Sequence, residues 1–386
     1  HSHKINREWY AKRLDRFLKF NEYSHELEMS NQLYKIPYRT YQNKFTGIDE
    51  NRIQTFLNGQ IAFSYTNIST YYECPFKFYL KYVLRIDSFE QTIYTFIGTL
   101  FHHCLERCLD SHLSVDEVYD AYVKEQMTGK QETYEEQFFL AFLKKEIKFI
   151  IESIRLQYTH SSHTESWHEK EITIPMKRKI ETTLKGYVDN VLVLNNKVLI
   201  IDYKTGHIEM DPALFPFGIG IQLPIYLYLL TCIDKNTEVV GMYLQHILDL
   251  NEEYQPKKDL LEEKRKKLRL DGITFANMED IKLFDETYEA SEVIKSLGVT
   301  KKGEFKKSKK VIALSERENL SEMMENLIIQ CIDRVSSGDF SIAPIKIEKK
   351  ADGCAYCKFK DICYVREKDF HREELVEDRK EGDDFE

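Results

Sequence analysis

The order of elements along the chain predicts an α/β or α+β protein. Three observations carry this. Residues 134–158 and "IYTFIGTLFHHCLERCLD" have helical periodicity. "EITIPM", "TLKGYVDNVLVL" and "KVLIIDYKTG" are β-rich and separated by short turns. A helix, "GIQLPIYLYLLTCI", then leads to a further strand, "EVVGMYLQHIL". Helices come first, then a strand group with one crossing helix, then a charged return.

Composition sets the outer limits. With 386 residues, 42% hydrophobic and 31% charged, the chain can bury one large core or two modest ones. No apolar run approaches the roughly 18 residues needed to span a bilayer. The N-terminus "HSHKINREWY" has no apolar signal segment and no starting Met, so it reads as an excised piece or a short standalone chain. No membrane partner is expected, and a cytoplasmic setting is. Eight cysteines without a secretory segment point to reduced thiols or a metal site rather than a disulfide framework. The net charge of −9 argues against non-specific coating of nucleic acid. The basic runs "KRKKLR" at 264–269 and "KKGEFKKSKK" at 301–310 read as solvated faces or loops.

Each segment follows from its texture. Residues 1–60 are a polar linker, partly helical; 61–366 form the main domain; 367–386 are a charged tail. From Ser64 to Asp110 the sequence is helical and aromatic-rich, broken at Cys74-Pro75, because the residue before Pro is pushed out of the helical region. Residues 251–310 are charged and loop-rich, and 315–336 are helical.

The stretch "GYVDNVLVLNNKVLIIDYKTG" is the most informative. Its two β-rich runs flank Asn195-Asn196, a pair that tolerates the positive φ of a tight hairpin turn. With those two residues as the loop, Leu194 faces Lys197, Val193 faces Val198, and Asp189 faces Asp202. Directly opposed side chains of that kind sit roughly 4.5–5.5 Å apart at Cβ. Two like charges there are destabilising unless something neutralises them, and hard carboxylate ligands suit Mg²⁺ or Mn²⁺. Lys204, two residues beyond Asp202, lies on the same face of the strand. Two carboxylates and an ammonium thus converge on one patch.

On the helix "IYTFIGTLFHHCLERCLD", Ile93, Phe96, Ile97, Leu100, Phe101, Cys104, Leu105 and Cys108 form the apolar stripe. His102 falls at the edge of the stripe, in line with Gly98 one turn earlier, where it can look into a cleft; His103 faces water. Near the C-terminus "ADGCAYCKFKDICYV" places Cys354, Cys357 and Cys363 within ten residues. Three such thiols want a fourth ligand.

These motifs together resemble a known family. Gly98 to His102 (G-x-x-x-H), Gly186 to Asp189 (G-x-x-D), Asp202 to Lys204 (D-Y-K) and Gln222 to Tyr226 (Q-x-x-x-Y) resemble the RecB-type branch of the PD-(D/E)XK nucleases. "YYECPFKFYL" and C-x2-C-x5-C make the chain similar to the nuclease domain of AddB-type helicase–nuclease subunits, and to CRISPR adaptation nucleases with the same cysteines. The similarity runs from about Ser64 to Tyr364.

The resemblance implies a restriction-endonuclease-like core, a central mixed sheet flanked by helices, with a helical N-terminal part and a four-cysteine staple. It implies that Asp189, Asp202 and His102 bind Mg²⁺ or Mn²⁺ and that Lys204 is the catalytic lysine. Gln222 and Tyr226 would orient the lysine and the DNA strand, and Glu171 would be an auxiliary acid. The fourth thiol is expected to be Cys74, at the helix break, since Cys104, Cys108, Cys232 and Cys331 read as core residues. Spacing leaves [4Fe–4S] and Zn²⁺ open; the resemblance favours the cluster.

The function so implied is a bacterial, metal-dependent DNase with exonuclease or end-processing action on single-stranded DNA, in DNA repair or recombination. It would work beside a helicase–nuclease partner or an upstream helicase module. A non-catalytic DNA-binding scaffold is the alternative, although a repulsive aspartate pair gains such a module nothing. No G-x-x-x-x-G-K-[ST] phosphate loop occurs, so no nucleotide-binding activity of that kind is expected.

Overall fold

The long strand β3 (Glu181–Leu194) organises the larger part of the molecule. In the computed structural model, which describes residues 2–20, 22, 45–87, 92–111, 113–128, 133–178, 180–206, 208–248 and 259–375, it pairs along its length with β2 (Glu165–Met176). On its other edge β1 (Gln60–Phe63) covers Glu181 to Leu184 in parallel, and β4 (Lys197–Lys204) covers Asn190 to Leu194 antiparallel. Among the described residues that edge is open between those two partners. Asp189 stands at the end of the gap.

Beyond β4 the sheet continues in parallel to β5 (Glu238–His246), then antiparallel to β6 (Asp271–Phe275) and in parallel to β7 (Val311–Ile312). Among the described residues the sheet has seven strands, and it is mixed, as expected of the core. Segment 251–310, read as loop-rich, thus supplies β6 and a short helix, Met278–Lys282. Five residues of β6 give too short a periodic signal to stand out among charges.

The β3–β4 turn is as expected. Asn195 takes φ +56°, and Leu194–Lys197 through Asn190–Ile201 pair in the expected register. One face of the sheet packs Leu192, Leu199, Ile201 and Tyr203 against helices Ile93–Cys108 and Tyr134–Tyr158. The helix Gln222–Ile233 contacts β2, β3, β4 and β5. A Cβ at Gly186 would come within 2.5 Å of the Leu229 side chain and 3.3 Å of the Tyr226 ring, so a larger residue there would press on that helix.

The chain divides into two units: residues 60–69 with 88–332, and residues 1–59, 70–87 and 333–386. They interleave in sequence: the expected cut at 60/61 falls one residue from the 59/60 boundary, and the expected cut at 366/367 falls inside the second of these units. The second unit contains the helices Ser2–Phe20 and Glu50–Phe56 and a small sheet of β8 (Ile345–Ile347), β9 (Ala351–Asp352) and β10 (His371–Glu373). Its core is aromatic: Phe340, fully buried, stacks on Phe78 at 6.1 Å and on Tyr79 at 5.1 Å. That explains the aromatic density of "YYECPFKFYL". Parts of the expected linker and of the tail (residues 23–44 and 376–386) lie outside the described residues.

Candidate active site

The hairpin register determines where the carboxylates stand. Asp202 on β4 is fully buried and Asp189, opposite it, is 8% exposed. Asp189 Oδ2 accepts a hydrogen bond from the Tyr203 backbone N–H at 2.7 Å. Burial, and then the charge of Asp202, push the Asp189 carboxyl well above the ordinary range. Asp202 is also raised by burial, against the pull of Lys204. Ionising both carboxyls at once is therefore costly.

The Gln222 helix gives Asp202 its partners. Gln222 Nε2 donates to Asp202 Oδ1 at 2.6 Å, and Gln222 Oε1 accepts from Lys204 Nζ at 2.8 Å. Tyr226, one turn on, has its hydroxyl 3.0 Å from Gln222 Nε2. Lys204 Nζ lies 2.5 Å from Asp202 Oδ2. Burial alone would lower the Lys204 pKa, but Asp202 outweighs it and the pKa is raised, so the side chain is a cation. The sequence motifs D-Y-K and Q-x-x-x-Y are therefore one hydrogen-bonded unit. The edge of the Tyr65 ring meets Tyr226 at 6.0 Å.

His102 arrives from the other helix. Its Nδ1 is 3.1 Å from Glu169 Oε1 and 3.7 Å from Asp189 Oδ1. Burial would lower its pKa, yet Glu169 and Asp189 raise it. Side-chain donor atoms of His102, Glu169 and Asp189 all lie within 4.8 Å of one another. The acidic neighbour is thus Glu169 and not Glu171. Glu171 sits across from Tyr187, half-exposed, with Lys185 at 3.9 Å. Residues His168–Asn190 and Lys170–Val188 are paired, so Glu169 stands in register with Asp189 where the ladder is interrupted. Glu169 takes φ +47° there. That register was not readable from the short β-rich run beginning at Glu171.

The residues fit a divalent cation. Two carboxylates of like charge, a third beside them and an imidazole make a hard oxygen–nitrogen donor set. Asp202 Oδ2 is fully enclosed and has the Lys204 ammonium 2.5 Å away, so a cation already offsets part of the charge there.

A family model described as the PD-(D/E)XK nuclease superfamily matches residues 62–364, more than three quarters of the sequence. The chain belongs to the PD-(D/E)XK nuclease superfamily. Among curated relatives, the B-type subunit of the ATP-dependent helicase/deoxyribonuclease of Carboxydothermus hydrogenoformans is 27% identical over 79% of this chain and 31% of the relative. The proteins of the same name in Thermoanaerobacter sp. and Alkaliphilus metalliredigens are 27% and 25% identical over 84% of this chain. The chain spans about a third of the length of these relatives.

Within this PD-(D/E)XK nuclease the four expected cysteines belong to the smaller unit. Cys74 is 8% exposed and stands in extended backbone just before Pro75, which opens the next helix. A Cβ at Gly353 would lie 2.5 Å from the Glu73 carbonyl oxygen, so glycine allows the two segments to meet beside Cys74 and Cys354. Burial, then the charges of Cys74 and Cys357, push the Cys354 thiol up to about 12. The Cys74 and Cys363 thiols are also raised, first by burial, with Cys357 contributing to both. A group of thiols in which burial and neighbouring sulfurs oppose ionisation at Cys74, Cys354 and Cys363 suits a shared metal or cluster. Cys104, Cys108 and Cys331 are buried as expected, whereas Cys232 is exposed near the end of its helix.

Proposed function

We propose that the chain is the nuclease domain of a helicase–nuclease complex that hydrolyses phosphodiester bonds of DNA, single strands above all, with Mg²⁺ or Mn²⁺. The observation that carries this is the buried pair Asp189 and Asp202, linked through Gln222 to a protonated Lys204. Asp189, Asp202 and His102 would hold the metal, with Glu169 beside them. When bound, the metal supplies an activated water and polarises the phosphate.

The protein's own groups do the rest. Lys204 presents a fixed ammonium to the charge that develops on the phosphate. Gln222 uses both ends of its amide to keep Lys204 and Asp202 in one geometry, and Tyr226 restrains Gln222. Cys74, Cys354, Cys357 and Cys363 would hold a [4Fe–4S] cluster that braces the smaller unit, with Zn²⁺ as the competing occupant. The relatives' name supplies the partner: a second component of a helicase/deoxyribonuclease. The cytoplasm, where such complexes would meet DNA, is the proposed setting. Among the described residues no helix is long and apolar enough to cross a membrane.

The test is degradation of labelled single-stranded DNA with Mg²⁺ or Mn²⁺ by wild type, Asp202→Ala and Lys204→Ala. Activity is expected only in the wild type. Equal activity in all three removes the assignment, and binding without cleavage by the wild type leaves a scaffold. Visible absorption in anaerobically purified protein, with bound iron, is expected for the cluster.

A further inference from the structure

A recess of about 480 Å³ lies beside the C-terminal half of the Tyr134–Tyr158 helix, within the range of small-molecule sites. Ser153 and Leu156 of that helix, Arg265 and Arg269 from the segment after Asp259, and the turn around Val293 line it. None of these residues belongs to the carboxylate site.

Two features mark the recess as built for a ligand. The first is polar groups buried without partners. Ser153 is only 4% exposed and its Oγ has no hydrogen-bond partner among the described residues. Arg269 Nη2 donates to the carbonyls of Ser291 at 2.6 Å and Ile294 at 2.8 Å, which fixes the guanidinium. Its Nε is buried and, among the described residues, unpartnered. Such groups carry a desolvation cost that a ligand oxygen removes.

The second feature is charge. Arg265, Lys266, Arg269 and His160 line the recess against Glu262 and Glu292. Lys266 is drawn to Glu263 at 2.9 Å, and His160 to Glu286 at 3.2 Å. Arg269 is held by its two carbonyls and Arg265 stands with its guanidinium 5.9 Å from the Phe149 ring; a guanidinium fork matches phosphate oxygens. Leu156 and Val293 offer an apolar wall to a ring system.

We propose that this recess binds a phosphate monoester carried on a nucleoside, with Arg265 and Arg269 meeting the phosphate. The ligand is either a free mononucleotide or the phosphorylated 5′ end of a strand. This goes beyond the nuclease reading and needs no metal, so either can fail without the other.

The test is calorimetric titration of the whole chain in metal-free buffer. The ligands are deoxyadenosine 5′-monophosphate, deoxyadenosine, and one short oligonucleotide with and without a 5′-phosphate. At least one phosphorylated ligand is expected to bind about tenfold or more tightly than its unphosphorylated partner. Arg265→Gln, at an exposed position, and Arg269→Lys, which keeps the charge, are each expected to weaken that binding about tenfold. Circular dichroism checks that both variants fold. Preference for the mononucleotide identifies the free ligand, and preference for the phosphorylated strand identifies the strand end. Binding indifferent to phosphate, no saturable binding, or an Arg265→Gln variant that binds like wild type overturns the proposal.

Discussion

The carboxylate site and the cysteine site solve opposite problems with the same kind of device. Asp189 and Asp202 come from adjacent strands joined by a two-residue turn, so local geometry alone brings them together. Cys74 precedes Cys354 by 280 residues, and its approach depends on Gly353 meeting the Glu73 carbonyl. The first site is a strain that the fold holds in place; the second is a constraint on the fold. Removing ligands should therefore separate the two: one set changes chemistry, the other stability.

The largest expected effect is at the cysteines. If the cysteines hold the proposed cluster, Cys354→Ser should lose iron and destabilise the protein by on the order of 5 kcal/mol, the loop-entropy figure for closing so long a loop. Chemical denaturation with iron analysis measures both. If iron is lost and the midpoint stays where it was, the cysteines do not constrain the fold. Next comes Lys204→Ala, expected to lower the rate of DNA cleavage about 10³-fold, roughly 4 kcal/mol of barrier, with the denaturation midpoint little changed. A loss of stability as large as that of Cys354→Ser would erase the contrast between the sites.

How much of this was legible follows from where each constraint resides. The Asn195-Asn196 turn fixes a register by counting, so the opposition of Asp189 and Asp202 could be read from the sequence alone. The 222–226 spacing placed Gln222 and Tyr226 on one helix face in the same way. Glu169 escaped because β2 reaches β3 through residues 177–180, which offer no two-residue turn from which to count. β6 was hidden by charge around a five-residue strand, and Cys232 by an apolar helix whose last turn is exposed. The interleaving of the two units has no local signal at all.

A smaller effect runs in the opposite direction. Asp189→Asn removes one of two facing buried charges, so without metal the variant should be more stable than wild type, by about 1 kcal/mol. That is roughly 2 °C in melting temperature for a chain of this size. Added Mn²⁺ should raise the melting temperature of the wild type and not that of the variant. A variant less stable than wild type in the absence of metal would mean that the hydrogen bond from Tyr203 outweighs the repulsion.

The smallest effect tests the residue that only the folded structure supplied. Glu169 touches His102 at 3.1 Å and is half-buried, whereas Glu171, two positions on, is half-exposed and pairs loosely with Lys185. Glu169→Gln keeps the hydrogen-bonding shape but removes the charge beside the imidazole. It should slow cleavage about threefold, roughly 0.7 kcal/mol of barrier, and raise the metal concentration needed for half-maximal rate, since one anionic contribution to the cation is gone. Glu171→Gln should change neither. Metal titrations of the cleavage rate for the two variants decide it. A Glu171→Gln protein with the larger defect would place the auxiliary acid where the linear sequence first suggested, and would mean that β2 shifts when metal binds.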